Sequence, residues 1–581
     1  MTGYAPPVAE MRFVLDRIAG LGGLTSLPGL EAATPDLVGQ VLEEAGRFAA
    51  NELAPLNQVG DREGAVLENG VVRTAPGFAE AYHLFAAAGW NGLVFPERWG
   101  GQDLPWALNA AVSEMWNAAN MSFQLCPLLT QAAIEALLHH GSAELQARYL
   151  PKLVSGEWTG AMCLTEPHAG SDVGALRTRA RRDGEDYRIT GQKIYITYGD
   201  HDMAANIVHL VLARLPDAPD GTRGISLFLV PKLLPNPDGT PGARNDVRCV
   251  SLEHKLGIRA SPTCVISYGD DEGALGFLIG RENEGMRCMF TMMNNARIAV
   301  GIEGLGLAER AYQQALEHAR ERIQGRRGGS AARIIEYPDV RRMLATMRAQ
   351  ISAMRALCYT AAAAVDRSCR APDAEARRQA EGRVALLTPI VKAWCTDLAC
   401  EIASTAVQVH GGMGYLEETG AAQHYRDARI LPIYEGTNGI QAHDLALRKL
   451  QVEDGRLPRE LIQELKAELQ ALRAAHEVAL ADGLEPGLVA LDRATRYLQG
   501  PAARNPDALA AAATPYLRLF GQTLGGFLLA RGAVAAAGDP AGAAWPALAR
   551  FYVHQLLPPA VALLPAICRG DETLHPALLP T

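Results

Sequence analysis

Tyr187-Arg188-Ile189-Thr190-Gly191-Gln192-Lys193-Ile194-Tyr195-Ile196-Thr197 is rich in β-branched and aromatic residues, with a Thr-Gly pair near its middle. Such side chains fit a pleated surface, and glycine after threonine suits a reversal, so the run predicts a tight β-hairpin. Strand-like runs follow at 207–212, 225–230, 264–268 and 277–279, separated by Pro- and Gly-rich connections such as 235–242. They predict a central all-β domain over 161–283.

On both sides of this block the pattern is helical. Residues 1–160 read as an N-terminal helical domain, with apolar positions at helical spacing from 127 to 153 and a turn-rich loop at 89–96. Residues 284–452 carry long Ala-, Arg- and Glu-rich stretches that suit a bundle of antiparallel helices. Residues 453–581 form an appended helical domain, broken by prolines at 501, 506, 515, 540 and 546. The expected fold is α+β multidomain: an N-terminal helical domain, a central β-barrel-like domain, a C-terminal four-helix bundle and the appended helical domain. A chain of 581 residues is too long for one core, which agrees with this division.

Lys plus Arg total 55 against 64 Asp plus Glu, a net charge of −9 that argues against a general nucleic-acid or membrane-surface role. Ten cysteines without a CxxC pair read as ordinary thiols in a reducing compartment. Glu10, Arg12, Asp16 and Arg17 among apolar neighbours make the first twenty residues an amphipathic helix and not a signal peptide. No uncharged apolar run approaches the ~20 residues of a membrane span. The chain ends Leu-Leu-Pro-Thr, which is not a peroxisomal address, so the cytoplasm is the expected compartment. GxxxxGK[ST], GxGxxG and HExxH patterns are missing, so neither a Rossmann NAD site nor a metal site is expected. The cluster Gly301-Ile302-Glu303-Gly304-Leu305-Gly306 has the wrong spacing for a dinucleotide loop and reads as close helix packing.

Four segments carry chemistry. They are Met162-Cys163-Leu164-Thr165-Glu166-Pro167-His168-Ala169-Gly170-Ser171-Asp172, Lys193–Thr197, Gln408-Val409-His410-Gly411-Gly412-Met413-Gly414-Tyr415 and Ile433-Tyr434-Glu435-Gly436-Thr437-Asn438. In this order they resemble the acyl-CoA dehydrogenase family, with its TEPxAGSD, KxWIT, GGxG and YEGT signatures. Softer matches lie at 92–97 and 254–259, and the resemblance covers about residues 5–450. Segments at 5–15, 199–202 and 208–214, with the appended domain, resemble the long subgroup that includes 3-methylmercaptopropionyl-CoA dehydrogenases and related broad-range bacterial enzymes.

The resemblance implies FAD as cofactor and an acyl-CoA thioester as substrate, oxidised to the trans-2-enoyl-CoA. Glu435 would take the α-proton and flavin N5 the β-hydride, with an electron-transfer flavoprotein as acceptor. It assigns Met162, Leu164, Thr165, Ser171, Tyr195, Ile196, Thr197, Arg322, Gln324, Gln408, Gly411, Gly412, Thr437 and Asn438 to the cofactor. Ser171, Asn294, Arg297 and Gly436 go to the substrate. The family usually has Trp where Tyr195 stands, and one more residue after Gln324. Because Arg322 belongs to an element that reaches the neighbouring subunit's FAD, a homo-oligomer is implied, with a dimer favoured. Glu166, beside Pro167, reads as a loop-fixing carboxylate. An acyl-CoA oxidase and a non-catalytic flavin or acyl-CoA binding scaffold are the other readings.

Overall fold

The computed structural model describes residues 3–574 and 578–579, leaving aside the side chains of 294, 295 and 573. The chain forms two compact units, one of Met1–Arg47, Pro105–Ala118 and Arg297–Thr581, the other of Phe48–Leu104 and Ala119–Ala296. Two long helices belong partly to each, α1 (Trp106–His140) and α2 (Gly285–Glu321). Within α1, Asn120 leaves helical geometry at φ −160°, ψ 89°. Its Oδ1 accepts the Phe123 N–H at 3.1 Å, as an N-cap does when a helix restarts.

The second unit holds the central sheet. Its strands are β1 (Trp158–Cys163), β2 (Arg179–Asp183), β3 (Asp186–Thr197), β4 (Asn206–Arg214), β5 (Ile225–Pro231), β6 (Val247–Leu252), β7 (Thr263–Tyr268) and β8 (Ala274–Ile279). They run in the order β6-β7-β3-β8-β5-β4-β1, with β2 pairing β3 and β4. Ile189, Ile196, Val211, Phe228 and Ile266 fill the buried interior.

The hairpin expected at 187–197 is not there. The whole run is one strand, β3, which pairs β8 through Tyr187–Ile189 and β7 through Gly191–Thr197. Gly191 adopts φ +149°, and a Cβ on it would stand 2.7 Å from Thr178 Oγ1. The Thr-Gly pair is therefore a crease where a strand changes partners, which uses glycine's freedom as a turn would.

In the first unit, α3 (Pro338–Arg370) and α4 (Ala374–His410) pack side by side and α2 joins them. A Cβ on Gly301 would lie 2.4 Å from Val391 Cγ1, on Gly304 3.0 Å from Cys395 O, and on Gly306 2.6 Å from Glu114 O. The cluster 301–306 thus allows backbones to touch, as its composition predicts. In the appended region Pro501, Pro506, Pro540 and Pro546 each occupy a first helical turn, where the missing N–H costs nothing. Pro515 instead lies inside the helix Pro506–Ala535, so it does not break the chain there. Two stretches, Trp106–His140 and Pro540–Glu572, are long and apolar enough for a membrane span by length and composition, against the sequence expectation of none. The apolar window of the first is 89% buried, as in a core helix.

Candidate active site

Glu435 lies in a short turn after Leu431 and before α5 (Asn438–His443), in the first unit. Its backbone is left-handed at φ +58°, and Gly436 follows at φ +85°. A non-glycine residue there costs about 1–3 kcal/mol, so the surroundings must hold it. Arg297 Nε donates to Glu435 O at 3.4 Å, and Gln441 Nε2 reaches Glu435 O and Gly436 O at 3.4 Å each. Lys392 Nζ donates to Gly436 O at 2.9 Å and to Asn438 Oδ1 at 2.8 Å. A Cβ on Gly436 would meet Gln441 Nε2 at 2.7 Å and push that side chain aside, and the positive φ disfavours any residue but glycine there. Thr437 caps α5 by accepting the Ile440 N–H.

The electrostatics favour a base. Burial raises the Glu435 carboxyl above its ordinary range, while Arg297 and Lys392 pull it back. Burial likewise lowers Lys392 to about 8, against the pull of Glu435. Arg297 is only 7% exposed, unlike a surface arginine. Asn438 is committed internally, donating to Asp397 Oδ1 at 2.7 Å and Ala393 O at 3.1 Å. Asn294 lies in α2, but its side chain is outside the described residues.

A second carboxylate stands nearby that sequence reading treated only as part of a packing motif. Glu303 on α2 is fully buried and accepts the Tyr434 hydroxyl through Oε2. Lys392 was also missed. A charged residue within the otherwise apolar α4 run Leu386–Cys395 was the available signal for it, as was a glutamate between glycines for Glu303.

Glu166, Lys193 and Tyr195 organise the second unit's segments. Glu166 Oε2 accepts the Arg177 N–H at 2.7 Å; Oε1 accepts Thr178 N–H at 3.0 Å, Thr178 Oγ1 at 2.6 Å and Lys193 Nζ at 2.8 Å. Lys193 also donates to Leu164 O at 2.9 Å, and Ile194 N–H to Thr165 O at 2.9 Å. The segment 162–165 is thereby tied to β3, and Glu166 does hold the loop. Between Lys193 and Ile196, β3 carries two residues opposite Val265 alone, a β-bulge. Tyr195 sits in it at φ +59° and is 60% exposed. Thr165 and Thr197 are half-buried, Leu164 likewise, and Ser171 is exposed in its turn. Met162 and Ile196 point into the core, so only their main chains can meet a ligand.

After α4, Gly411 turns at φ +62°, and a Cβ on either Gly411 or Gly412 would meet nothing within 4 Å. Gln408, Met413 and Tyr415 are exposed around this open backbone. Arg322 and Gln324 are exposed at the hairpin Ile323–Arg327 and Ser330–Arg333, with Arg322 donating to Gln324 Oε1 at 3.2 Å. Within the first unit the backbone at 411–412 is open enough for a pyrophosphate to approach, and within the second Tyr195 offers uncovered aromatic surface.

Comparison with known proteins gives matches along most of the chain. Residues 39–157, 161–270 and 283–450 match the family models for the acyl-CoA dehydrogenase N-terminal, middle and C-terminal domains. Residues 461–576 match acetyl-CoA dehydrogenase C-terminal like. The chain is 47% identical over 541 residues to 3-methylmercaptopropionyl-CoA dehydrogenase of Ruegeria pomeroyi, covering 92% of this chain and 91% of that one. Caenorhabditis elegans ACDH-11, solved with C11-CoA, superposes with TM-score 0.78 at 21% identity, covering 96% and 93%, a likeness of fold. A chain solved in work on the electron transferring flavoprotein of Acidaminococcus fermentans and flavin-based electron bifurcation matches with TM-score 0.59 at 27% identity, covering 71% of this chain and 98% of that one.

Proposed function

Since the chain belongs to the acyl-CoA dehydrogenase family, FAD-dependent enzymes acting on acyl-CoA, we propose that Glu435 removes the α-proton of the bound thioester on the way to the trans-2-enoyl-CoA. The observation that carries this is a carboxylate clamped in a left-handed turn, made more basic by burial, with Arg297 and Lys392 beside it. An α C–H beside a thioester is a weak acid, so the base must be in contact and the developing oxyanion must be met by donors. The Glu435 N–H is the family's donor from the protein. FAD, when bound, supplies the acceptor for the β-hydride. Arg297 orients the substrate end, and Gly436 leaves the base uncovered.

Thr165, Thr197, Tyr195, Ser171 and Gly411-Gly412 are the proposed flavin contacts, with Arg322 serving a second copy. Electrons then pass to an electron-transfer flavoprotein, a reading supported by the Acidaminococcus likeness. The test is product and stoichiometry. Mixed anaerobically with 3-methylmercaptopropionyl-CoA or butyryl-CoA, the enzyme yields one enoyl-CoA, two hydrogens lighter, per flavin bleached. Bound acyl-CoA recovered unchanged would support the scaffold reading instead.

A further inference from the structure

Glu303 sits on α2 between Gly301 and Gly304, where the helix approaches α4 too closely for a Cβ. It is fully buried, takes the Tyr434 hydroxyl on Oε2, and leaves Oε1 without a partner among the described residues. A carboxylate half-satisfied in so tight a place has no evident packing role. What it touches is the residue before the base. The clamps from Arg297, Gln441 and Lys392 all grip the carbonyls of Glu435 and Gly436. The residue before them, Tyr434, is held by its N–H, which donates to Ile430 O at 3.2 Å, and by its hydroxyl on Glu303.

We propose that Glu303 is a positioning residue for the base: by accepting the Tyr434 hydroxyl it fixes the peptide that carries the Glu435 N–H and aims the Glu435 carboxyl. The proposal rests on Glu435 being the base. The groups facing Glu303 are Tyr434 and Glu435 from the turn and Lys392 from α4. Burial pushes Glu303 up to about 8, with the charge of Glu435 adding to this and Tyr434 and Lys392 opposing it. At neutral pH it therefore carries its proton and acts as a neutral hydrogen-bond acceptor. That leaves both cations to Glu435, and glutamine is its nearest mimic.

The experiment is single-turnover flavin bleaching of the holoenzyme, using whichever of 3-methylmercaptopropionyl-CoA and butyryl-CoA bleaches the wild type faster. Glu303→Ala and Tyr434→Phe slow bleaching at saturating substrate about tenfold or more, equivalent to about 1.4 kcal/mol of barrier, while FAD content and acyl-CoA dissociation stay as in wild type. Glu303→Gln regains most of the rate, and Glu303→Ala with Tyr434→Phe is no slower than either alone. If Glu303→Ala does not accumulate as holoenzyme, Tyr434→Phe, which removes one oxygen, decides the matter. Wild-type bleaching in Tyr434→Phe, a Glu303→Gln enzyme as slow as Glu303→Ala, or multiplying effects in the double variant would overturn the proposal. Glu435→Gln, run alongside, separates the two ideas. If it bleaches normally the base assignment fails, whereas flat Glu303 results beside an inert Glu435→Gln remove only the positioning role.

Discussion

Glu166→Gln tests how the segment 162–165 is held against β3. The Glu166 and Lys193 side chains are 3% and 0% exposed, so water does not screen their 2.8 Å contact. Burial opposes ionisation of Glu166, but Lys193, Thr178 and the Arg177 N–H hold its carboxyl below the ordinary range. Glutamine fills the same volume but removes the charge and turns an NH2 towards a cluster of donors. Lys193 would be left buried without its counter-charge, with only the neutral oxygens of Leu164 and the new amide to accept from it. Breaking a buried pair from one side costs about 3–5 kcal/mol, a large share of the ~5–15 kcal/mol that stabilises a folded protein. Tryptophan fluorescence, to which Trp158, fully buried at the start of β1, contributes, follows urea unfolding. The variant should unfold at clearly lower urea and purify with less FAD, yet molecules that keep FAD should bleach with acyl-CoA. An unchanged midpoint together with full FAD content would refute the reasoning.

Three other outcomes follow from the same structure. Glu303 keeps its proton in the folded protein between about 4.5 and about 8, where the unfolded chain has released it, so its contribution falls as pH rises through that window. Melts of Glu303→Gln at several pH values should show a flatter pH dependence than wild type, and parallel curves would contradict this. Reduced enzyme should reoxidise quickly with an electron-transfer flavoprotein and slowly with oxygen; hydrogen peroxide formed at the dye-assay rate would favour an oxidase. The holoenzyme should scatter light as a dimer or larger, and Arg322→Ala should weaken FAD retention, whereas a flavin-loaded monomer would remove the argument for a shared site.

The order helix, sheet, helix was legible because periodicity changes from 3.6 to 2 and back along the chain. What was not legible was the path of β3. Thr190-Gly191 signals a backbone freedom, and a turn and a crease both use it; which one occurs depends on β7 and β8 arriving from far along the chain. The segments around Glu435 stood out because their residue types are packed into short motifs. Glu303 and Lys392 reach the same turn from two different helices, so no local pattern joins them. Glu166 was readable as a loop anchor from Pro167 beside it, but its partner Lys193 lies 27 residues on and is revealed by the fold.

Anaerobic mixing of Glu435→Gln holoenzyme with a substrate that bleaches wild type tests the role of Glu435 as the base most directly. Glutamine keeps the reach of the side chain but accepts no proton at neutral pH, and loss of a general base costs ~10²–10⁴ in rate. The variant should be a yellow enzyme with wild-type FAD content that binds acyl-CoA and bleaches at least that much more slowly. Bleaching near the wild-type rate would contradict it.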